Sequence, residues 1–570
     1  MDKKMLSEKI GFSLILVASL AARLAVLPLL SGVSGGDFFN YLLITRQLAG
    51  LQTPFIGKRL PVYAAFLLPG HLAGCPLIWG RLLGIFCLLG ILVVLYFWGK
   101  ELEIASGVRL TALALVGFQP TLFIYSLRPL SHTLFALEVI TCVYLLYKIT
   151  HVLRKGEQIL PRLLVGWGML MGIMCMTRHE GFAVAALLGL SWVVVSLFCA
   201  RTESHNFKFS IFNFRKINIK NFLREIFFVF VPLVVIVLPY FVSNYSRFGS
   251  FFYSPYVEDP GLNPAFGLPS FLVNLNKVKW VILRLWGDFE PFPIRAAFCF
   301  AFFATLLPLL VPRVARLGKP LKMFLWGSFF SCWVLLFFLT PLQNFTAVFT
   351  FFFAVLMFTG LIKFTVEQRS SSILLLSLLF SQTLLLLLVQ PWSRHLQHTF
   401  PFWALFLAYG VSWLVGNLPR KLGFCVRGLL LCIVGILLFS EIKGEIAQYI
   451  EGSLDSRPLL SAVQYLDSQE GTSAFPFKSS LVDYYLGGKA IFFRPDGEDP
   501  VKEKIQRAPQ EQLAWLEKNK PRYVVYYNVW DSFTVTQARR YTQRFRKLRE
   551  YEIEREKNSL GIVIYEFLLY

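Results

Sequence analysis

The chain has 570 residues, of which 56% are hydrophobic, and its mean hydropathy of +0.58 excludes an ordinary soluble enzyme of this length. The formal net charge is +22, but the lysines and arginines lie between apolar stretches, where they orient membrane helices rather than bind nucleic acid. The nine cysteines show no paired spacing, so neither a disulfide framework nor a metal site is indicated.

Apolar stretches long enough to cross a bilayer follow one another from the N-terminus to about residue 444. A stretch of about 20 apolar residues spans the hydrocarbon core, and it must be helical because its backbone has no water to bond there. The first stretch resembles a signal sequence, but no small-residue cleavage site follows, so we expect a retained helix. We predict thirteen membrane spans, near residues 10–30, 78–98, 108–126, 130–147, 163–177, 181–199, 226–245, 292–312, 323–340, 345–363, 372–390, 401–416 and 428–444.

Basic residues concentrate in the connectors on one side of these spans, for example at residues 148–162 and 201–224. By the positive-inside rule that side is cytoplasmic, and an odd number of spans places the C-terminal segment outside. We therefore predict a multi-pass protein of a bacterial inner membrane, with a transmembrane module over 1–444 and a soluble extracytoplasmic α/β domain over 445–570. Three runs in that domain have the composition of strands: 490–494, 522–527 and 561–567.

The first predicted outer loop, residues 31–77, contains the most suggestive carboxylate. Asp37 follows two glycines and opens an amphipathic helix, whose apolar face contains Phe38, Tyr41, Leu42, Thr45 and Leu48. Such a helix is typical of a membrane surface. Asp is also a favoured helix N-cap, so a structural interpretation of Asp37 stands beside a catalytic one.

Basic residues at the predicted outer face favour the catalytic interpretation. They are Lys58, Arg59, Arg178 and Arg394. Each alone is typical of an interfacial anchor whose charged head reaches water. If the loops that carry them converge on one carboxylate, they would instead form a pocket for an anionic substrate.

Four segments, in their order along the chain, resemble the GT-C glycosyltransferases, especially the branch of the protein O-mannosyltransferases and lipid A aminoarabinose transferases. These segments are Asp37 in the first outer loop, residues 177–181, residues 244–249, and residues 394–396 leading to Pro401. The resemblance covers the whole chain and implies a GT-C fold with an outer C-terminal domain. It also implies an enzyme that transfers a hexosyl or pentosyl group from a polyprenyl-phosphate carrier to an acceptor hydroxyl at the outer face.

The resemblance assigns roles to the residues. Asp37 would be the general base that takes the proton of the acceptor hydroxyl, and cations would stabilise the growing charge on the leaving lipid phosphate. A single displacement with one carboxylate implies inversion at the anomeric carbon. The candidates for binding the phosphate and the sugar are Lys58, Arg59, Arg178, Glu180 and Arg394. Arg178 either serves there or holds the first-loop carboxylate in place.

The sequence departs from the family pattern at two places. Relatives often have an Asp-Glu pair in the first loop, whereas Phe38 follows Asp37 here. Relatives often have an acid at the start of the fourth span, where this chain has His132. His132 is therefore a second catalytic candidate, although a lone histidine at a span boundary is also a common structural feature.

Arg23 and Glu138 are ionisable residues that lie well inside predicted spans, away from the first four residues of each. Charges within a membrane are costly and often functional, but a protonated Glu138 bonded to a neighbouring helix is an equally good interpretation. We expect no metal cofactor, although Asp37 together with Glu258 is a conceivable site for Mg²⁺ or Mn²⁺.

Two other functions remain open at this point. A transporter or flippase of lipid-linked glycan precursors should place ionisable groups near the bilayer midplane and contain interrupted helices. A scaffold protein of the membrane would not need an acid beside basic residues. For the glycosyltransferase we expect a polyprenyl-phosphate-linked sugar donor, membrane lipids and an acceptor glycan, lipid or protein as partners, and no nucleic acid. The identities of the sugar and of the acceptor stay open.

Overall fold

The computed structural model describes residues 3–30, 37–50, 59–155, 157–199, 219–249, 251, 398–416, 457–475, 480–486, 489–492, 516, 518–527, 545–553 and 560–567, with single positions within 356–364 and 435–450. The helices among these residues are α1 (Lys3–Val26), α2 (Asp37–Ala49), α3 (Pro61–Leu72), α4 (Pro76–Glu101), α5 (Ser106–Gly117), α6 (Pro120–Leu127), α7 (His132–Arg154), α8 (Pro161–Thr177), α9 (Glu180–Cys199), α10 (Ile219–Phe248), α11 (Phe400–Gly416), α12 (Arg457–Asp467) and α13 (Ser480–Leu486).

Four of the described helical segments are long and apolar enough to cross a membrane. They are Met5–Leu29, Pro76–Glu101, His132–Leu153 and Asn221–Ser246. Shorter apolar helices are Pro161–Thr177, Glu180–Val193 and Phe400–Gly416. All seven coincide with predicted spans. The total of thirteen stays a prediction, because five predicted spans lie wholly or mostly outside the described residues: 292–312, 323–340, 345–363, 372–390 and 428–444.

The span predicted over 108–126 is two helices in the structure, because α5 and α6 meet at 51°. The break falls directly before Pro120, the first residue of α6. Proline has no amide hydrogen, so it cannot donate the next backbone hydrogen bond of the preceding helix. It is favoured at the first position of a new helix. Together the two segments are apolar enough to count as one further span.

The chain divides into two compact units, which we describe separately. The helical unit comprises Met1–Arg23, Leu83–Leu127 and Ser131–Ile442, and the loop–sheet unit comprises Leu24–Leu82, Arg128–Leu130 and Lys443–Tyr570. The predicted C-terminal segment thus shares a unit with the first predicted outer loop. The boundary at residues 444 and 445 and the outer location of the segment stay predictions.

Helices of the helical unit approach each other closely where glycines face a neighbouring backbone. A Cβ atom at Gly168 of α8 would overlap the Val229 carbonyl of α10, and one at Gly172 would lie 2.9 Å from the Ile236 Cβ. Small residues spaced four apart let the backbones of two membrane helices approach each other closely. The close approach increases van der Waals contact, which is important in lipid because the hydrophobic effect does not drive helices together there. Accordingly, α8 and α10 form an extensive helix–helix contact.

The loop–sheet unit contains a five-stranded sheet in the order β2-β1-β3-β5-β4. Its strands are β1 (Ser473–Phe475), β2 (Ala490–Phe492), β3 (Tyr523–Tyr527), β4 (Phe545–Ile553) and β5 (Leu560–Phe567). The first strand pairs in parallel with β2 and β3, whereas β5 pairs antiparallel with β3 and β4. The strands predicted near 490–494, 522–527 and 561–567 coincide with β2, β3 and β5. Helix α12 packs on β4 and β5, and α13 packs on both α12 and α2.

Candidate active site

Asp37 is the first residue of α2, and its carboxylate forms an ion pair with Arg59. The Arg59 Nη2 atom contacts the Asp37 Oδ1 atom, and the side chains are 20% and 34% exposed respectively. A carboxylate in the first turn of a helix is also favoured by the helix dipole. The structure therefore brings two predicted site residues together and leaves the acid partly accessible to solvent.

Packing between α2 and α3 explains why these two residues meet. Tyr41, one turn after Asp37, packs edge-on against Tyr63 with 4.8 Å between ring centroids. One turn further, the Thr45 hydroxyl donates to the Ala64 carbonyl at 2.9 Å. Positions four apart share one face of a helix, so the face that begins with Asp37 lies against α3. Arg59 stands just before α3, next to the start of that face.

The helix predicted from Asp37 begins at that residue, and four of the five residues predicted for its apolar face are buried. The buried residues of α2 are Phe38, Phe39, Tyr41, Leu42, Ile44 and Thr45. Burial extends further round the helix than the predicted face, because Phe39 and Ile44 are also covered. Lys58, the neighbour of Arg59, lies outside the described residues.

A second polar cluster lies in the helical unit, where α8 ends and α9 begins. Arg178 donates to Glu180 through two nitrogens, with Nη2 at 2.8 Å from Oε1 and Nε at 3.2 Å from Oε2. Such a bidentate pair holds both side chains in one orientation. Gly181 allows a compact turn between α8 and α9, because a Cβ atom at this position would overlap the Met174 carbonyl of α8.

The polar cluster of Arg178 and Glu180 extends to the start of α7. The Arg178 Nη1 atom lies 3.4 Å from the Ser131 Oγ atom, and the guanidinium lies 6.0 Å from the Phe135 ring. His132 follows Ser131 as the first residue of α7, is 6% exposed, and packs 5.0 Å from the Tyr125 ring. The helical unit thus gathers the predicted residues Arg178 and Glu180 beside the segment that carries His132.

Glu138, in the second turn of α7, is 4% exposed and contacts the last residue of α8. The Thr177 hydroxyl lies 2.8 Å from Glu138 Oε1 and 2.9 Å from the Ile173 carbonyl. A hydroxyl has only one proton, so Thr177 donates it to Glu138 or to the Ile173 carbonyl, or shares it between them. The second oxygen, Oε2, is buried and has no partner in the described part of the chain. A buried oxygen without a hydrogen-bond partner costs little free energy in a neutral acid and much more in a charged carboxylate.

We therefore expect Glu138→Gln to keep wild-type activity and thermal stability, because glutamine is uncharged, has nearly the same shape and keeps an oxygen that accepts from Thr177. Glu138→Lys should destabilise the folded protein by about 3 kcal/mol, the typical cost of a charge at the centre of a membrane helix. Thermal unfolding in detergent and the rate of sugar transfer measure both variants. A Glu138→Gln variant as unstable as Glu138→Lys would show that the carboxyl is not neutral.

Two arginines of the loop–sheet unit, the buried Arg81 and the partly buried Arg128, were not singled out by the sequence. Arg81 in α4 donates to the Leu30 carbonyl at 2.6 Å, which ties α4 to the chain entering the first predicted outer loop. The Arg128 guanidinium lies 5.0 Å from the ring centroid of Tyr449. In the sequence each arginine lies at the border of an apolar stretch, where a lipid anchor is the simpler interpretation.

Arg394 and Glu258 lie outside the described residues, so neither the phosphate role of the first nor the metal role of the second is tested. Among the residues that the structure describes, no three His, Cys, Asp or Glu side chains are grouped so that they could hold a metal ion. The absence of a metal site stays an expectation.

Comparison of the sequence with protein-family models and with curated proteins finds no match. Comparison of the structure finds ArnT from Cupriavidus metallidurans, in a crystal structure bound to undecaprenyl phosphate and in one of the apo state. The bound form aligns with a TM-score of 0.51 at 13% identity, and the apo form with 0.52 at 12%. Both alignments cover 96% of this chain and 97% of ArnT. The chain therefore has the GT-C fold of ArnT over almost its whole length, which confirms the predicted fold.

Proposed function

We propose that the protein is a membrane glycosyltransferase, which moves a sugar from a polyprenyl-phosphate carrier to an acceptor hydroxyl at the outer face of the membrane, with inversion. The observation that carries this proposal is the Asp37–Arg59 ion pair at the start of α2. It supplies an accessible, oriented acid in a chain with the fold of ArnT, a protein whose crystal structure contains undecaprenyl phosphate.

In this proposal Asp37 is the general base. An acceptor hydroxyl that attacks the anomeric carbon must lose its proton, and a carboxylate within hydrogen-bonding distance can accept it as the new bond forms. The carboxylate is the form that can accept a proton, and the Arg59 guanidinium contacts it directly. The exposed part of Asp37 gives an acceptor hydroxyl room to approach.

Arg59 has two roles in this proposal. Its contact with Oδ1 fixes the direction of the Asp37 carboxylate, and its positive charge attracts the anionic donor. The leaving lipid phosphate gains negative charge as the glycosidic bond breaks, and preorganised cations stabilise that charge. Arg59 is a candidate for this task because a guanidinium presents several donors in a fixed plane. Lys58 and Arg394 are further candidates from the sequence.

The Arg178–Glu180 pair suits the binding of a sugar. Because Glu180 compensates the charge of Arg178 through two hydrogen bonds, the pair is close to neutral while presenting both donors and acceptors. Sugar hydroxyls bind to such groups because each hydroxyl both donates and accepts. His132 remains a candidate for a second proton-accepting or hydrogen-bonding group.

The transfer reaction should need no metal, because the leaving phosphate is neutralised by side-chain cations. We expect the purified protein to keep full activity in EDTA. Activity that disappears in EDTA and returns with Mg²⁺ or Mn²⁺ would contradict this expectation. Activity that returns with neither ion would indicate damage by the chelator rather than loss of a cofactor.

An assay in proteoliposomes separates the proposed transferase from the alternative transporter or flippase. The purified protein is reconstituted with undecaprenyl-phosphate mannose or undecaprenyl-phosphate aminoarabinose, labelled in the sugar, and supplied with envelope lipids and glycans as acceptors. The proposal predicts label on an acceptor and release of free undecaprenyl phosphate. Intact labelled carrier that crosses the bilayer without cleavage of the sugar–phosphate bond would support the alternative and overturn the proposal.

A further inference from the structure

Two adjacent tyrosines of α13, in the C-terminal part of the chain, pack against the helix that begins with Asp37. The Phe39 ring of α2 lies 6.1 Å from Tyr484 and 6.3 Å from Tyr485, measured between ring centroids. The two tyrosine rings lie edge to face, with 5.1 Å between their centroids. Phe39 is 5% exposed, so the aromatic contact is closed to solvent on the α2 side.

A hydrogen bond connects the same two helices further along α2. The Arg46 Nη1 atom donates to the Tyr484 carbonyl at 3.1 Å. Phe39 and Arg46 are seven residues apart, which is close to two helical turns, so they lie on one face of α2. The contact between α2 and α13 therefore extends over two turns and includes both an apolar and a polar part.

The helix α2 is thus held on two different faces. Tyr41 and Thr45 contact α3, whereas Phe39 and Arg46 contact α13. A helix fixed on a single face can still roll about its contact line, but contacts on two faces remove that freedom. Because Asp37 is the first residue of α2, any roll of the helix would turn its carboxylate away from Arg59 and from an acceptor.

From these contacts we propose that Tyr484 and Tyr485 are positioning residues for Asp37, and that the C-terminal segment acts on catalysis by fixing the orientation of α2. This inference rests on the proposed function, since it presupposes that Asp37 acts on a substrate. It gives the C-terminal segment a task in the reaction that requires no direct contact with sugar or carrier.

The chemistry of the two tyrosines favours a packing role. Burial raises the pKa of Tyr484, although Arg46 acts against this shift, and burial likewise raises the pKa of Tyr485. Both phenols therefore stay neutral at physiological pH, and their contact with Phe39 does not depend on ionisation. The Arg46 side chain donates to the backbone carbonyl of Tyr484. This hydrogen bond therefore depends on the position of α13 rather than on which side chain residue 484 carries.

The test compares ring removal with ring retention in the full-length protein. The double variant Tyr484→Ala/Tyr485→Ala should lower kcat about tenfold or more, since a misplacement of about 1 Å in an active site can cost roughly 100-fold. The KM for the undecaprenyl-phosphate donor should change less than twofold. The double variant Tyr484→Phe/Tyr485→Phe keeps the rings and should restore kcat to within twofold of the wild type. Arg46→Met should also lower kcat, because it removes the hydrogen bond between α2 and α13.

Controls distinguish positioning from a general loss of folding. Tyr465→Ala removes a tyrosine ring from α12, a helix that packs on α13 and on the sheet, and should leave kcat unchanged. Hydrogen exchange should become faster in the α2 amides of the alanine double variant, whereas the α3 amides stay protected. An unchanged kcat in that variant, or a fall that the phenylalanine variant does not reverse, would overturn the inference. Failure of the proposed function would look different, because the wild type itself would then transfer no sugar.

Discussion

Asp37→Asn should lower the rate of sugar transfer roughly 10²- to 10⁴-fold, the typical contribution of a positioned general base. Asparagine has nearly the same shape but cannot accept the proton of an acceptor hydroxyl. It is also a good residue at a helix start, so the substitution preserves the structural role that a capping aspartate would have. Turnover by the purified protein measures the catalytic loss, and binding of undecaprenyl phosphate should stay close to the wild type.

The control for this substitution is Asp467→Asn, which neutralises an exposed carboxylate at the end of α12 in the same unit. It should retain wild-type turnover. If Asp37→Asn also turned over at a near-normal rate while folded, the acid would be a helix-start residue only. The assignment of the base would then be wrong.

Arg59→Gln should lower kcat about 100-fold, because the Asp37 carboxylate loses the ion pair that orients it, and a shift of about 1 Å has an effect of this size. Arg59→Lys retains the positive charge but not the planar donor group, so it should fall between the wild type and Arg59→Gln. Steady-state kinetics with varied donor concentration separate kcat from KM. Arg522→Gln, at an exposed arginine before β3, is the matched control and should behave as the wild type.

The same kinetics decide between the two roles proposed for Arg59. A loss confined to kcat indicates that Arg59 acts in the transition state, by orienting the base or by stabilising the leaving phosphate, whereas a rise in KM for the donor with constant kcat indicates binding of the carrier phosphate before the reaction. Changes in both parameters indicate both roles. Unchanged kinetics in Arg59→Gln would remove this residue from the site altogether.

The start of α2 could be predicted because its signals are local. Two glycines precede Asp37, and apolar residues then recur with helical spacing over about three turns. Membrane spans are predictable for a similar reason, since length and composition alone decide whether a segment can cross a bilayer. The break before Pro120 was visible as a proline, but an apolar segment can bend or continue at a proline, and the packing around it decides which.

Which side chains of the site contact each other depends on how helices pack together, and a single sequence does not specify that packing. Asp37 and Arg59 meet because α2 packs on α3, and no local pattern specifies that packing. Glu138 and Thr177 are 39 residues apart, and their bond depends on the axial register of α7 against α8. Sequence analysis left two interpretations of Glu138 open. The burial of the carboxyl and its second oxygen, which has no partner among the described residues, now favour the neutral acid.

Contacts between distant parts of the chain were the least predictable. The Arg46 side chain and the Tyr484 carbonyl that it contacts are 438 residues apart. The composition of the C-terminal segment predicted an α/β fold, but it held no information about which helix of the preceding chain would pack against α13. The role that we infer for Tyr484 and Tyr485 could therefore come only from the structure.

The most direct test of the account determines the anomeric configuration of the transferred sugar together with the fate of the carrier. The wild-type protein is supplied with an undecaprenyl-phosphate sugar of defined anomeric configuration, and the glycosylated acceptor is analysed by NMR. The account predicts the opposite configuration in the product and one free undecaprenyl phosphate for each sugar transferred, with the rate of both signals at least about 100-fold lower in Asp37→Asn. A product of retained configuration, or transfer at a near-wild-type rate in Asp37→Asn, would contradict it.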